Sequence, residues 1–327
     1  MVLRSFLALL IYLSAIHSAS SETIRLRYAQ AYSALRTIFA LPLFIAEREG
    51  LFVKEGLDFS MVPISGGGEN MVAVLHEGGA DVAHVATAFL VQSVMSGSDA
   101  VAVVAEFNNP VYSLIAKPEN RTYADLKGKL LGVAAENGSI TLSIRKLLDM
   151  HGVHREDFSA RFVDGTPDRL ICLVQGDCAA VPLGQPHDFL ALRRGYQLIG
   201  LSTEAVPDYL YTVTIARRSW AEKNKEALVR YARAMAASFK YIRDPKNREN
   251  VIKTIVETTG FAEENARLTL KLYFEPERNV LPMAGEISVK GMQEVIKLMG
   301  EGGILKAPLP PPERFIDLKY LKAAGIQ

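Results

Sequence analysis

The sequence predicts an α/β protein built from two similar βα lobes, and three observations carry that prediction. Between Leu41 and Val85 the apolar residues switch back and forth between helical and strand spacing, with glycine at each joint. A helix–Gly–Asp–strand string occurs twice, as Leu75-His76-Glu77-Gly78-Gly79-Ala80-Asp81-Val82-Ala83 and as Leu173-Val174-Gln175-Gly176-Asp177-Cys178-Ala179-Ala180. A chain of 327 residues that is 49% apolar can also fill two separate cores.

In chain order, Arg4 precedes an apolar run from Phe6 to Ile16, and Ser18, Ala19, Ser20 and Ser21 follow. That run is too short to span a bilayer and has the form of a secretory signal peptide, with cleavage expected after Ser20. Residues 1–20 are therefore set aside, and the absence of a nearby cysteine argues against a lipid anchor. Ile24, Leu26 and Tyr28 alternate as a first strand. A helix follows with Leu41, Phe44 and Ile45 on one face, Pro42 in its first turn and Gly50 at its left-handed end. Leu57, Phe59 and Met61 alternate with polar residues as a second strand. After Ser65-Gly66-Gly67-Gly68, a helix carrying Met71, Val74 and Leu75 begins near Glu69. Asp81–Val85 and Ala100–Ala105 are short apolar runs of the kind buried in a parallel sheet.

Val111–Ala116 reads as the first crossover between lobes, and Leu130–Ala134 opens the second lobe. There a helix with Ile140, Ile144, Leu147 and Leu148 on one face is expected to be capped by Ser139. A strand at Arg161-Phe162-Val163 precedes a helix with Thr166 as its expected cap and Pro167 at its first position. Tyr196–Leu201 closes the lobe and Leu210–Ala216 returns the chain. The expected division is residues 22–110 plus 215–327 for lobe 1 and 111–214 for lobe 2. A long helix through Leu228, Tyr231, Met235, Phe239 and Ile242 follows, with further helices near Val251–Thr258, Glu263–Phe274 and Val289–Met299. Ala307–Pro312 reads as a stiff surface segment before a short tail.

Composition narrows the function. Lys+Arg 37 against Asp+Glu 36 gives no basic surface for nucleic acid or anionic membrane. Ser-His-Asp residues are present, but no G-x-S-x-G elbow, P-loop or H-E-x-x-H helix accompanies them. No catalytic residue, metal site or cofactor is therefore expected. His151 and His154 lack a third ligand. The two cysteines, Cys172 and Cys178, allow one disulfide or two buried thiols, and the sequence leaves both open.

One string carries a resemblance. An apolar helix running into Glu49-Gly50-Leu51-Phe52-Val53-Lys54-Glu55-Gly56-Leu57-Asp58, a glycine loop, and a helix closing on Gly79-Ala80-Asp81-Val82-Ala83 resemble the substrate-binding proteins of nitrate/sulfonate/taurine-class ABC importers. Thiamine-pyrimidine binding and synthesis proteins share that scaffold. The resemblance implies a type II periplasmic-binding-protein fold, with the two lobes joined by two crossover segments around a cleft. It further implies a periplasmic monomer that binds a small-molecule ligand and delivers it to an inner-membrane ABC permease with its ATPase. A small organic anion, sulfonate- or carboxylate-like, is the first expectation for the ligand, and a neutral pyrimidine-like or aromatic compound the second. The other classes are a pyrimidine-synthesis enzyme of the same fold, whose cysteine-rich iron-binding motif this chain lacks, and a binding protein that feeds a sensor kinase.

Ligands of open parallel sheets bind beyond the carboxyl ends of the strands. That rule selects Gln30 and Tyr32, Ser65 to Gly68, His84 to Thr87 and Glu106 to Asn109 in the first lobe. In the second it selects Glu136 to Ser139, Asp164 to Thr166 and Gly184-Gln185-Pro186. The candidate ligand contacts are Gln30, Tyr32, Ser65, Gly66, Gly67, Gly68, His84, Thr87, Asn108, Asn137, Gly138, Ser139 and Gln185. Gly66-Gly67-Gly68 and Ser139 each run into a helix, so one helix N-terminus from each lobe is expected to grip an anion without any Arg or Lys. His84 reads equally as a core residue. Tyr32, Phe107 and Tyr209 are candidates for an aromatic wall.

Overall fold

The computed structural model describes residues 22–275 and 278–327, so the expected signal peptide lies outside the described residues. Lobe 1 begins with β1 (Ile24–Ala31), α1 (Leu41–Arg48), α2 (Leu51–Lys54), β2 (Leu57–Ile64), α3 (Gly68–His76), β3 (Val82–Ala86), α4 (Thr87–Met95) and β4 (Ala100–Phe107). The chain then crosses to lobe 2, made of β5 (Ser113–Ala116), β6 (Leu130–Val133), α5 (Ser139–Met150), β7 (Ser159–Phe162), α6 (Thr166–Val174), β8 (Ala180–Leu183), α7 (His187–Arg193), β9 (Gln197–Leu201) and α8 (Ser202–Ala205). It returns through β10 (Thr212–Arg217) and finishes with α9 (Arg218–Lys223), α10 (Lys225–Arg243), α11 (Arg248–Thr259), α12 (Glu263–Tyr273), α13 (Val289–Glu301) and α14 (Lys319–Ala323).

Each lobe has its own five-stranded sheet, ordered β2-β1-β3-β10-β4 and β7-β6-β8-β5-β9. The two orders are one topology used twice. Within each sheet the first, second and third strands of the lobe pair in parallel, and the strand arriving from the other lobe lies antiparallel beside the third. The repeated helix–Gly–Asp–strand string sits at the same place in both. Gly78 and Gly176 adopt positive φ (72° and 87°), which only glycine takes without strain, and reverse the chain out of α3 and α6. Asp81 and Asp177 then tie each third strand down. Asp81 accepts from the Arg27 backbone N–H and pairs with its guanidinium, both at 2.8 Å, while Asp177 meets Arg161 at 3.2 Å.

Local differences from the sequence reading have local causes. Gly50 takes φ 63° and ends α1 as expected, but α2 starts immediately after it. The caps lie one residue earlier than expected. Gly138, not Ser139, caps α5, and Gly165, not Thr166, caps α6. Glycine provides the extended or positive-φ entry there, so the hydroxyls of Ser139 and Thr166 are released from capping. Cys172 and Cys178 form a disulfide with a Cα–Cα distance of 5.3 Å, joining the end of α6 to the approach to β8. At the outer edge of lobe 1, Phe315 and Asp317 bond to Ala102 on either side, so the C-terminal segment covers edge strand β4.

The crossovers are stitched to each other. Tyr112 and Ser202 exchange hydrogen bonds at 2.9 Å, the Asn109 amide donates to Pro207 O at 2.8 Å, and its oxygen accepts from Tyr209 N at 2.9 Å. The lobes are also shut on each other. Gln92 reaches Asn137 O at 3.3 Å, Lys146 pairs with Glu301 at 2.8 Å, Arg193 donates to Asn265 at 2.8 Å and Tyr273 to Gln185 at 3.3 Å.

Candidate functional site

Polar side chains from both lobes and the crossovers are buried in the cleft without hydrogen-bond partners. From lobe 1 come both amide atoms of Gln30, near the end of β1, the Oδ1 of Asn108 just beyond β4, and the Oγ1 of Thr212 at the start of β10. From lobe 2 come the hydroxyls of Ser139 and Thr141 in the first turn of α5, and the second crossover adds the Tyr209 hydroxyl. All of these residues are 7% exposed or less. A buried hydroxyl or amide left unpaired costs about 1–3 kcal/mol, so a cluster of this kind marks a place where a ligand completes the hydrogen bonding.

Three hydroxyls converge at its centre. Burial pushes the Tyr209 phenol up to about 12, and the nearby hydroxyls of Ser139 and Thr87 work against that rise. Thr87 opens α4 and Ser139 opens α5, and neither helix has a side-chain cap. The first residues of two helices, one from each lobe, therefore lie beside the same phenol. Their first-turn N–H groups carry partial positive charge suited to an anion. Thr87 is itself anchored, its N–H donating to Tyr211 O at 2.9 Å and its hydroxyl to Leu210 O at 2.5 Å.

The other expected contacts fall into two groups. Gly138 and Asn137 form the turn before α5, with Gly138 buried and Asn137 O accepting from Gln92 across the cleft. Gln185 is engaged between the lobes, donating to Asp188 at 2.8 Å and accepting from Tyr273 of lobe 1. The glycine loop stands apart from the buried cluster: Ser65, Gly66 and Gly67 are exposed, and Ser65 O accepts from the Asn70 amide at 2.7 Å. Positive φ occurs at Gly66 (92°), not at Gly67, and it is Gly68 whose missing side chain allows close packing, against Phe89 of α4. Thus α4, not α3, brings lobe 1's helix terminus to Tyr209.

His84 belongs to the interior of lobe 1. Its Nδ1 pairs with Oε2 of Glu106, whose Oε1 accepts from Tyr28 at 2.5 Å and Thr214 at 2.6 Å. The Thr214 hydroxyl also meets that of Tyr231 at 2.8 Å. The expected aromatic wall reduces to Tyr209. Tyr32 is 67% exposed, and Phe107 is fully buried in the core, edge-on to Phe39 at 5.0 Å. The sequence reading did not single out Thr212 at all, and Thr141 lay outside its chosen loops. Alternating threonines on a strand look alike whether or not their hydroxyls find partners.

A family model for the NMT1-like family matches residues 33–256, which span both lobes, both crossovers and every cleft residue named except Gln30. The chain belongs to the NMT1-like family. This NMT1-like chain is 24% identical over 206 residues to YtlA of Bacillus subtilis, a protein assigned provisionally as a binding protein. That alignment spans 61% of the chain and 61% of its relative. Among solved structures, the periplasmic nitrate-binding protein NrtA from Synechocystis PCC 6803 superposes with a TM-score of 0.77 at 15% identity, covering 93% of this chain and 89% of the other. The alkanesulfonate-binding protein SsuA from Xanthomonas axonopodis, bound to MOPS, gives 0.72 at 16% identity, with coverages of 90% and 99%. At these identities the NMT1-like chain shares the periplasmic-binding-protein fold with them, as its sequence resemblance implied.

Proposed function

We propose that the protein is a periplasmic solute-binding component of an ABC importer that captures a small organic anion between its lobes and presents it to a membrane permease. The observation that carries this is that buried polar atoms without partners come from both lobes at the carboxyl ends of their strands, where two helices without side-chain caps also begin. Such a site holds and orients a ligand, and none of its unpartnered hydroxyls is hydrogen-bonded to a histidine or carboxylate that would activate it, which supports binding without catalysis. The nitrate- and alkanesulfonate-binding names of its structural neighbours favour an anion of that size. Lobe 1 (residues 22–110 and 212–327) and lobe 2 (111–211) act as the closing bodies, with the two stitched crossovers as the hinge. No helix among the described residues is long and apolar enough to cross a membrane. Attachment to the transporter would then rest on a separate permease.

A second reading has one observation in its favour. Both amide atoms of Gln30 are free, and a paired donor and acceptor suit the edge of a neutral pyrimidine-like ring. Calorimetric titration of the mature protein with nitrate, taurine, ethanesulfonate, MOPS and an aminopyrimidine separates the two. Saturable one-site binding of an anion, with compaction seen by small-angle scattering, is expected. Binding of the pyrimidine alone transfers the case to the second reading, and no saturable binding by any of them removes solute capture.

A further inference from the structure

A buried cation lies on the same edge of lobe 2, outside every motif considered so far. Arg169, in the first turns of α6, is 2% exposed. Its Nε donates to Pro182 O at 2.8 Å, one Nη to Val163 O at 3.1 Å and the other to the Thr166 hydroxyl at 3.0 Å. These partners lie on or just past the carboxyl ends of β7 and β8, the edge from which α5 also starts. Of the five N–H donors of a guanidinium, three are used and two are left. Arg169 makes no ion pair among the described residues, and the two acids that act on it, Asp164 and Asp168, do so from exposed positions while burial works against its charge. A guanidinium in such a place retains its charge, so a buried one without a counter-ion is costly unless an anion arrives.

A second observation points the same way. The Nδ1 of His187, first residue of α7, is buried without a partner. The His187 backbone N–H donates to Gly184 O at 3.0 Å, and Gly184 lies against the Thr166 hydroxyl that Arg169 holds, so the two side chains flank one turn. Burial and the charge of Arg169 both push this imidazole below its ordinary value. Gly184 lets the chain pass close to them. A Cβ there would sit 3.2 Å from the Tyr112 ring and 3.7 Å from the Thr166 hydroxyl. The Tyr112 hydroxyl faces that of Tyr211 at 3.3 Å, and Tyr211 lies two residues from Tyr209 on the second crossover. Arg169, His187 and the tyrosine pair therefore continue the cleft floor into lobe 2.

We propose that Arg169 and His187 form the charged end of the ligand cleft, taking an oxyanion (sulfonate, carboxylate or nitrate) through the two spare guanidinium N–H groups and the His187 Nδ1–H. This deepens the solute-capture reading and rests on it. It also replaces the expectation of an anion held without any Arg or Lys. The rival role is that Arg169 only clips the β7 and β8 loops together.

The test compares matched isosteres, ethanesulfonate and the neutral ethanesulfonamide, titrated into the mature full-length protein by calorimetry. The parent should prefer the sulfonate by at least about 30-fold, since an unpaired buried charge is filled only by the anion. R169Q should lose at least about 30-fold in sulfonate affinity while its sulfonamide affinity changes by less than about 3-fold. R169K retains charge but not the fork and should fall between them. H187F should weaken sulfonate binding by about 10-fold, and with R169K it decides the matter if R169Q does not fold. Equal sulfonate affinity in the parent and R169Q overturns the proposal in favour of the clip while leaving capture intact. So does a parent that binds the two isosteres alike or binds only the sulfonamide. If neither isostere binds but the aminopyrimidine does, the charged end is overturned and capture stands. If nothing binds, both fall.

Discussion

Thr212 and Thr214 sit on the same face of β10, two residues apart, yet their hydroxyls have opposite circumstances. Thr214 donates to Glu106 at 2.6 Å and meets Tyr231 at 2.8 Å, whereas Thr212 Oγ1 is buried with no partner. Valine matches threonine in shape and suits a strand, so each substitution isolates one hydroxyl. Thr214→Val removes a bond to a charged acceptor and should cost about 1.5–3 kcal/mol. Thr212→Val removes an unsatisfied group whose burial costs about 1–3 kcal/mol, so the ligand-free protein should gain about 1 kcal/mol. The expected separation between the two variants is about 3 kcal/mol. Urea unfolding in ligand-free buffer reads it as midpoints displaced in opposite directions at equal slope. Ligand affinity should fall in Thr212→Val despite its higher stability. Destabilisation of Thr212→Val to the same extent as Thr214→Val would refute the reasoning, because the hydroxyl would then be a structural bond and not a ligand contact.

Four further outcomes are expected. Ser139→Ala should not destabilise the ligand-free protein, because Gly138 holds the cap position and the buried Ser139 hydroxyl has no partner to lose, while calorimetry should show weaker ligand binding. Gly67→Ala should leave the melting temperature unchanged, since a Cβ there meets nothing within 4 Å, whereas a Cβ at Gly68 would lie 2.5 Å from the Phe89 ring. Gly68→Ala should accordingly cost about 1–3 kcal/mol. His187 is held below its ordinary value of 6.5 by burial and Arg169, so the folded state prefers the neutral ring. Its contribution to stability is complete above that value and is lost as pH falls below it. The urea midpoint should therefore drop from pH 7 to pH 5.5, and drop less in H187F. Thiol titration of unfolded, unreduced protein should find no free thiol. Reduction should cost about 2 kcal/mol, as the bridge spans a separation of only 6 residues.

Much of the fold was legible because glycine and strand alternation mark it so plainly. Gly50 holds the left-handed φ that its position suggested, and Gly78 and Gly176, at the ends of two further helices, take positive φ as well. The repeated Gly–Asp string does lead into the third strand of each sheet. What escaped was the junction between β3 and α4. Ala86 ends the strand and Thr87 begins the helix with no turn residue between them. The helix itself, Thr87–Met95, is apolar on nearly every side, so its spacing does not distinguish it from a buried strand. The helix terminus at the cleft was therefore sought at the visible glycine loop. Arg169 escaped for a different reason. An arginine in a helix with Asp168 beside it reads as a solvated charge, and only the tertiary structure shows three carbonyl and hydroxyl acceptors closing over it. Tertiary partnership is what distinguishes Thr212 from Thr214, and no local pattern records it.

The doubled topology makes the cleft's asymmetry informative. In each lobe the third strand runs into a helix, β3 into α4 and β8 into α7, so Thr87 and His187 occupy equivalent first positions. Two copies of one frame could have lined the cleft with two like walls. Instead, Thr87 is fixed by the second crossover and faces Tyr209, while His187 stands near a buried guanidinium. Lobe 1 contributes a helix N-terminus and neutral groups, including Gln30 and Thr212, and lobe 2 contributes a helix N-terminus and a buried arginine on the next helix. A ligand with charge at only one end satisfies that arrangement in a single orientation, with its anionic head toward α6 and its polar, uncharged remainder toward β1 and β10. A dianion charged at both ends would leave one charge against Gln30 and Thr212 without a cation, at the cost of an unpaired buried ion. If Arg169 takes the anion as proposed, monoanions should bind more tightly than dianions of equal length, because the buried arginine at this edge belongs to lobe 2 alone among the described residues.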